Sequence, residues 1–454
     1  MALPTFFRIR IPRAGTSWPR WLDSHMREIL RGASTAFLLK ILGAFLNFCF
    51  YVAIGRLLGA EQAGMYFLAL TVATVAAVLG RVGLDGTMLR LIAGAAAAGD
   101  WETVQGVFRK GLTIAAAGAS VAALTAAALA PALAEQLFSA PELTPLLRWM
   151  ALAVVPAAII VLLGRALLGL KRVGDANLVS DVAVPALSLT AVLLLAPRWG
   201  MFGAVWAYAL AAALTLLIGV WRWREATPQL RGMKGSIRTR EVLQSSIPLY
   251  WVACFQLIMT WTSTLVLGMW ASSADVGVFG VANRTATLTS FILLAVNNIT
   301  APKFAALHRA GDMVTLGRVA RNCAKLTALV ATPVLAVCLI VPAQVMAVFG
   351  PEFASGAVVL SILAAGQFVN VVTGSVGFLL IMCGHEALYR NNFVFSALIS
   401  IGLNLVLIPM LGIIGAAIAT ASTLALQNLI AAFLVWRKLG ILTIPVLWPR
   451  AQVP

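Results

Sequence analysis

Cationic side chains inside long apolar runs are the residues of this sequence best suited to do chemistry. Lys40 and Arg284 each interrupt such a run, and Asn283 directly precedes Arg284. A charge within a membrane span is costly and usually faces a cavity or an opposite charge, which makes it a functional candidate by default. Arginine grips phosphate through a bidentate fork, whereas lysine acts as a point charge. These cations favour an anionic ligand, with structural pairing and snorkelling as alternatives.

Uncharged polar residues extend this predicted lining. Asn47 lies seven residues after Lys40, so both share one helix face. Gln256 and Thr260 share a face in the same way. Hydrogen bonding between helices explains any one of these polar residues equally well. The full set of candidate cavity residues is Lys40, Asn47, Gln256, Thr260, Asn283, Arg284, Gln367 and Asn370.

Acidic residues within apolar runs are fewer than the cations. Asp181 fits either an ion pair with a nearby cation or a proton or sodium site, and the ion pair is the more ordinary interpretation. Arg81 and Asp85 lie near the end of one apolar run, and Arg165 lies near the end of another. At such positions, snorkelling or contact with phospholipid headgroups competes with ligand binding.

The motifs of common enzymes and of nucleotide-driven pumps are absent from the sequence. It contains no HExxH, GxSxG or Walker motif, and His25, His308 and His385 lie far apart. Its five cysteines are widely spaced without a CxxC pair, and their ordinary role is packing. We therefore predict a protein that is not an enzyme and that holds no cofactor or metal ion.

Long membrane-spanning helices must position these residues. Of the 454 residues, 61% are hydrophobic and only 11% are charged, and the mean hydropathy is +0.95. Continuous apolar runs of about 20 residues indicate helices, since the strands of a membrane barrel alternate over about 10. Twelve such runs fit the sequence. They predict an all-α polytopic membrane protein with six spans in each half.

The net charge of +17 is concentrated on one predicted side of the membrane. Basic residues cluster before the first span, in the linker between the halves and after the last span. The positive-inside rule then predicts that both termini are cytoplasmic, and no nucleic-acid partner is needed to explain the charge. The segment from Trp18 to Leu30 fits either an amphipathic helix on an anionic membrane surface or a solvated basic tail.

An internal repeat divides the chain into two halves. Residues 55–66 and 268–279 both read as a helix end, a turn with one acid and a Gly-x-aromatic start. Further pairs follow in the same order at a spacing of roughly 210 residues, namely Pro141-Glu142 with Pro351-Glu352, Gly169 with Gly384, and Gly200 with Gly412. The predicted organisation is a basic cytoplasmic segment at 1–33, lobes at 34–224 and 243–437, a cytoplasmic linker at 225–242 and a cytoplasmic tail at 438–454.

Six spans per half is an even number, so both halves enter the membrane from the same side. They are then related by a pseudo-two-fold axis along the membrane normal, and a site at mid-membrane between them is expected. The predicted fold is therefore two pseudo-symmetric six-helix lobes around a central cavity.

Several stretches of the chain resemble one transporter family. They are Gly55-Arg-Leu-Leu-Gly-x-x-x-x-Gly64-x-Tyr66, Val276-Gly277-Val-Phe-Gly-Val-Ala-Asn-Arg284, Pro302-Lys-Phe-Ala with Gly311-Asp312, Phe349-Gly-Pro-Glu-Phe, and Gly412-Ile-Ile-Gly415-Ala-Ala. In this order they are similar to the polysaccharide transport branch, which includes O-antigen flippases, of the multidrug/oligosaccharidyl-lipid/polysaccharide (MOP) exporters. The resemblance covers residues 33–438.

This resemblance implies a V-shaped cavity, alternating access and a sugar repeat unit carried on undecaprenyl diphosphate. The unit would cross from the cytoplasmic to the periplasmic leaflet of a bacterial inner membrane, for O-antigen, exopolysaccharide or capsule assembly. In relatives, cations of the first and eighth helices meet the diphosphate, and Lys40 and Arg284 are the matching candidates. Membrane lipids, a polysaccharide polymerase and chain-length machinery are further expected partners.

Other functions fit the sequence less well. An ion-coupled exporter of small organic compounds, as in the multidrug and toxin extrusion (MATE) branch, commonly carries acids in its spans, and here Asp181 is the main example. The lipid II flippase carries two extra C-terminal helices, and this chain ends before them. A membrane polymerase or ligase for lipid-linked sugars would need a sizeable periplasmic loop, which the predicted spans do not leave. A non-transporting scaffold is the remaining alternative.

Overall fold

A computed structural model describes residues 24–235 and 237–443, which are helical with connecting turns and contain no strand. The first half comprises α1 (Ser24–Gly80), α2 (Leu84–Ala97), α3 (Trp101–Ala132), α4 (Leu143–Ala151), α5 (Val154–Gly169), α6 (Val173–Asn177) and α7 (Ala183–Ala226). The second half comprises α8 (Thr239–Trp270), α9 (Ser273–Thr287), α10 (Ser290–Arg309), α11 (Met313–Ile340), α12 (Pro342–Ala347), α13 (Ala357–Thr373), α14 (Val376–Met382) and α15 (Glu386–Leu439).

The longest helices are each two spans joined at a glycine. With 54 residues, α15 would reach about 80 Å if straight, against a hydrocarbon core of about 30 Å. It bends at Gly412, where φ is 56°, and α7 bends at Gly200, where φ is 54°. Only glycine adopts this left-handed region without strain. Gly59 divides α1 in the same way.

The described helices are consistent with the predicted number of membrane crossings. Among the described helices, seven are long and apolar enough to cross a membrane, and α4 with α5 makes an eighth across a 41° bend. If α1, α7 and α15 each cross twice and α9 with α10 crosses once more, the total is consistent with twelve spans. The protein is a multi-pass membrane protein.

The backbone repeats itself between the halves. In addition to Gly200 and Gly412, it contains a pair that the sequence analysis did not find. Gly99 and Gly311 both have φ of 73°, and the aspartate after each caps the next helix by accepting a hydrogen bond at 2.9 Å from the N–H of Thr103 or Thr315. The predicted pair Gly169 and Gly384 is less alike, because Gly169 is helical and Gly384 has φ of 80°.

The two halves meet closely at the end of the bundle that contains Gly59, Gly200 and Gly412, called here the kink end. Helices α1 and α9 cross at Gly64 and Gly277, where a Cβ would overlap the carbonyl oxygen of Ser273 or Ala60 respectively. Small residues allow backbones to pack this tightly in membranes. The repeat-related glycines therefore form the seam between the halves.

A polar latch adds to the kink-end seam. The carboxylate of Glu352, from the second half, accepts a hydrogen bond at 2.8 Å from the N–H of Ala60, beside the bend at Gly59. Arg56 donates through Nε to the carbonyl of Val348 at 2.7 Å. A residue of the second half, Glu352, thus caps the bend in α1 of the first half.

A second contact between the halves lies at the opposite end, called here the linker end because it contains residues 227–235 and 237–238. There α2 packs against α8, with the hydroxyls of Thr87 and Ser245 3.2 Å apart. A Cβ on Gly83 would overlap the backbone of Tyr250 and Ser246. Lys110 of α3 adds a hydrogen bond to the carbonyl of Ile237, just before α8.

Parts of the predicted organisation lie outside the described residues. Residues 1–23 and 444–454 are among these, so the interpretation of Trp18 to Leu30 as an amphipathic helix or solvated tail stays largely untested. Helix α1 begins at Ser24, within the segment predicted to precede the first lobe. The domain boundaries remain predictions.

Candidate functional site

Arg284 lies near the end of α9 with its side chain against the first half. The centre of its guanidinium is 4.1 Å from the ring centroid of Phe67 and 4.6 Å from that of Tyr51, both on α1. Its Nη1 donates to the carbonyl of Gly280 at 3.0 Å. The side chain is half-buried and, within the described part of the chain, has no carboxylate within 4.0 Å. The cation is therefore held by rings rather than neutralised.

The glycine one turn before Arg284 makes this arrangement possible. A Cβ on Gly280 would lie 2.6 Å from Cδ2 of Phe67 and 2.9 Å from Nη1 of Arg284. The rings of Tyr51 and Phe67 pack edge to face, with centroids 5.8 Å apart. A cation over an aromatic face gains about 0.5–1 kcal/mol when exposed and about 2 kcal/mol when desolvated. The rings thus hold the guanidinium in place and leave its charge available.

Lys40 belongs to a different cluster. It is half-buried on α1, and its charge and that of Arg165 both act on Asp181, which lies in a π-helical turn before α7. Neither cation is within 4.0 Å of this carboxylate. Gly43, one turn after Lys40, packs so closely that a Cβ would overlap the Asp181 carbonyl.

Lys40 and Arg284 are separated along α1. Tyr51, which contacts Arg284, lies eleven residues after Lys40, or about 16 Å along the helix. Lys40 and the α1 residue that contacts Arg284 thus lie about three helical turns apart, so the two cations mark two separate positions.

The amides of the second half form a third cluster. Ser290 donates to Oε1 of Gln367 at 2.8 Å, and Nδ2 of Asn370 donates to the same oxygen at 3.1 Å. Ser290 begins α10 directly after the break that follows α9. Asn283, beside Arg284, accepts the hydroxyl of Thr287 through its backbone carbonyl. This network ties α13 to the broken helix that carries Arg284.

Gln256 and Thr260 line a groove between the halves. It has a volume of about 350 Å³ and lies between α8 and the residues around the start of α2. Arg81 and Asp85 form its charged wall and are ion-paired at 2.8 Å. The remaining candidate, Asn47, is half-buried on α1. The candidate residues therefore fall into separate clusters instead of lining one continuous surface.

The structure contains a polar cavity that the sequence analysis missed. It has a volume of about 260 Å³, lies within the second half and includes Gln427 and Asn428 of α15 in its lining. Two adjacent amides in an apolar run were a signal available in the sequence. In the described regions, no three or more His, Cys, Asp or Glu residues are grouped so that they could hold a metal ion.

Comparison with known proteins gives a family and a fold. Residues 29–308 match the family model described as polysaccharide biosynthesis protein. A curated relative, the probable flippase AglR of Haloferax volcanii, is 29% identical over 178 residues, which is 38% of this chain and 37% of that protein. The chain thus spans little more than a third of this relative's length.

Two solved structures share the fold over most of the chain. An inward-facing multidrug resistance MATE family transporter of the MOP superfamily has a TM-score of 0.71 at 16% identity, with 90% of this chain and 98% of that chain covered. The lipid II flippase MurJ in an inward closed conformation has a TM-score of 0.69 at 14% identity, with 89% and 87% covered. At these identities the likeness establishes the two-lobed helical fold alone.

Proposed function

The chain belongs to the polysaccharide biosynthesis protein family, and from this premise we propose that it is a flippase for lipid-linked oligosaccharide. The substrate would be a sugar unit on undecaprenyl diphosphate, moved from the cytoplasmic to the periplasmic leaflet by alternating access. Its product would serve O-antigen, exopolysaccharide or capsule assembly. A polymerase and its chain-length machinery would act next on the same lipid.

The observation that carries this proposal is the state of Arg284. Its guanidinium lies where α9 of one half meets α1 of the other, held by Tyr51 and Phe67 and without a carboxylate partner in the described regions. Such a group offers two parallel N–H donors to a diphosphate oxygen pair. A diphosphate arriving between the halves gains a charge-assisted contact without first breaking an ion pair.

Lys40 would act at a second position on the diphosphate path. It is about 16 Å from Tyr51 along α1, toward the linker end, and it acts electrostatically on Asp181, as Arg165 also does. In this proposal Lys40 attracts the headgroup first and Arg284 receives it at mid-membrane. Asp181 partly offsets the repulsion between the charges of Lys40 and Arg165, and it is also the candidate ion-coupling residue.

The contacts between the halves suit a rocking motion. The halves meet through Gly64 and Gly277 at the kink end and through Thr87 and Ser245 at the linker end. Among the described residues, a small number of polar contacts would break when either end opens. Transport requires that the conformations open at one end and at the other differ by no more than a few kcal/mol. The charge distribution supports an orientation with the linker end in the cytoplasm, in a bacterial inner membrane.

The direct test is flipping of undecaprenyl-diphosphate-linked oligosaccharide in proteoliposomes. Wild type, Lys40→Ala and Arg284→Ala are compared with Arg198→Gln, an exposed arginine at the kink end. We expect flipping by wild type and by Arg198→Gln, and loss of most activity in the other two variants. Normal flipping by both alanine variants would remove the site assignment. No flipping by wild type, together with efflux of organic cations, would replace this function with ion-coupled export.

A further inference from the structure

The polar cavity within the second half, which includes Gln427 and Asn428, is lined by neutral polar and aromatic groups. Helices α8, α10, α13 and α15 supply its amides, which are Gln256, Asn297, Asn370, Gln427 and Asn428. Aromatic side chains complete the wall, among them Tyr389, whose ring lies against Gly377 so closely that a Cβ there would be 2.7 Å from Cε2. None of the lining residues carries a formal charge at neutral pH.

Two buried polar atoms in this cavity lack a partner. Asn297 is 6% exposed and Ser375 is 4% exposed. Neither Oδ1 of Asn297 nor Oγ of Ser375 has a hydrogen-bond partner among the described residues. An unsatisfied buried polar atom costs about 1–3 kcal/mol, and each such atom in a folded protein calls for an explanation. Both residues line the cavity, so rotation of the two side chains would bring these atoms to a polar ligand bound there.

The chemistry of the lining selects the class of ligand. Amides offer donors and acceptors side by side, which matches hydroxyl groups that both donate and accept. Without a charged residue in its wall, the cavity compensates the lost hydration of an ion or a diphosphate less well than that of a neutral hydroxyl group. Its volume lies just below the range of about 300–1,000 Å³ typical of drug-sized ligands, so it suits one small polar unit.

We propose that this cavity is a sugar subsite, which holds a monosaccharide unit of the lipid-linked substrate while the diphosphate is bound outside it. The inference rests on the flippase function proposed above. It assigns the two parts of the substrate to different sites: the cations bind the diphosphate, and the cavity of the second half binds the sugar.

The position of the cavity suits this division. Gln256 lines both the cavity and the groove beside Arg81 between the halves. Asn370 also lines the cavity and reaches Ser290 at 3.4 Å, only six residues after Arg284 in the chain. The cavity is thus tied through Asn370 and Ser290 to the start of α10, which follows the helix that carries Arg284.

The test separates sugar recognition from lipid recognition. Protein in nanodiscs is titrated with polyprenyl-diphosphate glycans extracted from the cells that make it, and separately with undecaprenyl diphosphate that carries no sugar. The variants are Ser375→Ala and Asn428→Leu, with Asn391→Leu, an exposed amide at the start of α15, as the matched control. We expect both cavity variants to bind the glycan lipids about tenfold more weakly, as loss of one to two hydrogen bonds predicts, and to bind the bare lipid like wild type.

Ser375→Ala also distinguishes a ligand site from a structural defect. Removal of an orphaned buried hydroxyl leaves stability unchanged or raised when nothing binds there, so thermal unfolding should show no loss. Equal glycan binding by wild type and both variants would overturn the sugar subsite and leave the flippase function standing. Weaker binding of both lipids would also overturn it. Failure of wild type to bind or flip glycan lipids would instead overturn the flippase function.

Discussion

At the scale of single residues, Arg284 is a cation inside a membrane protein and has no acidic partner among the residues the structure describes. The faces of Tyr51 and Phe67 take the place of a counter-ion. Residue type and position within an apolar run were enough to predict Arg284 as a candidate. Its aromatic neighbours were not predictable, because they come from the other half of the chain and meet it only through the crossing of α1 and α9.

Substitutions at Arg284 should separate charge from geometry. Arg284→Gln is expected to reduce the flipping rate by at least about tenfold, since a charge-assisted hydrogen bond contributes about 1.5–3 kcal/mol. Arg284→Lys should retain an intermediate rate, because it keeps the charge and loses the bidentate fork. The initial rate of lipid-linked oligosaccharide flipping measures both. Equal rates for the two variants would mean that charge plays no part.

The repeated aspartate caps give a pH dependence of stability. Hydrogen bonds from the side chain and then the backbone of Thr103 lower the pKa of Asp100, and those of Thr315 lower the pKa of Asp312. A folded pKa below the unfolded value of about 3.9 means that each carboxylate stabilises the fold above that value. The contribution is lost as the pH falls through the folded pKa.

This sign predicts the behaviour of Asp100→Ala and Asp312→Ala. Each variant should unfold at a lower temperature than wild type at about pH 7, because the cap is gone. The difference should shrink as the pH is lowered below about 4. Thermal unfolding in detergent across this range measures it. A difference that stays constant down to the lowest pH would show that the carboxylate charge is not involved.

At the scale of elements, bends and breaks differ in how well sequence predicts them. The bends at Gly59, Gly200 and Gly412 follow from helices too long for one crossing with a glycine at the middle. Other apolar runs are divided between two helices, for example between α4 and α5, between α9 and α10, and between α13 and α14. Gly374, with φ of 72°, marks the break between α13 and α14. The break between α9 and α10 contains no glycine or proline and has a tertiary contact, Ser290 with Gln367, that local composition does not show.

The crossing of α1 and α9 can be tested by adding volume at its glycines. Gly64→Leu should hold the kink end apart, because a side chain there overlaps the Ser273 carbonyl. Ala63, fully buried beside the crossing, provides a reporter as Ala63→Cys. We expect faster labelling by a membrane-impermeant thiol reagent in the Gly64→Leu background. Gly402→Leu, where nothing lies within 4 Å, is the matched control and should leave labelling unchanged.

At the scale of the whole molecule, alternating access requires the halves to separate at the linker end. The hydroxyls of Thr87 and Ser245, 3.2 Å apart, mark a pair that cysteines can cross-link. Oxidised Thr87→Cys/Ser245→Cys should lose flipping, and reduction should restore it. Each single cysteine variant is the control, since the protein already contains five cysteines. Full activity in the cross-linked protein would show that α2 and α8 do not separate during transport.

The architecture as a whole was more predictable than the site. Composition, repeat and span length were sufficient for an all-helical fold of two related halves. The grouping of Lys40 with Asp181, and of Gln256 with Arg81, depends on how helices rotate against each other. That rotation is set by close glycine contacts such as Gly43 with Asp181, and the periodicity of one helix carries no information about it.

The hydrogen bond between Ala60 and Glu352 has no counterpart at the start of α9, so the two related halves differ here. After duplication of an identical unit, every contact between the copies exists twice, once in each direction. In this protein α9 is capped from within its own half by Ser272 and Asp275, whereas the bend of α1 borrows its acceptor from Glu352. The two halves are therefore no longer equivalent. When the kink end opens, the bend of α1 loses the hydrogen bond from Ala60 to Glu352, whereas α9 keeps its own cap.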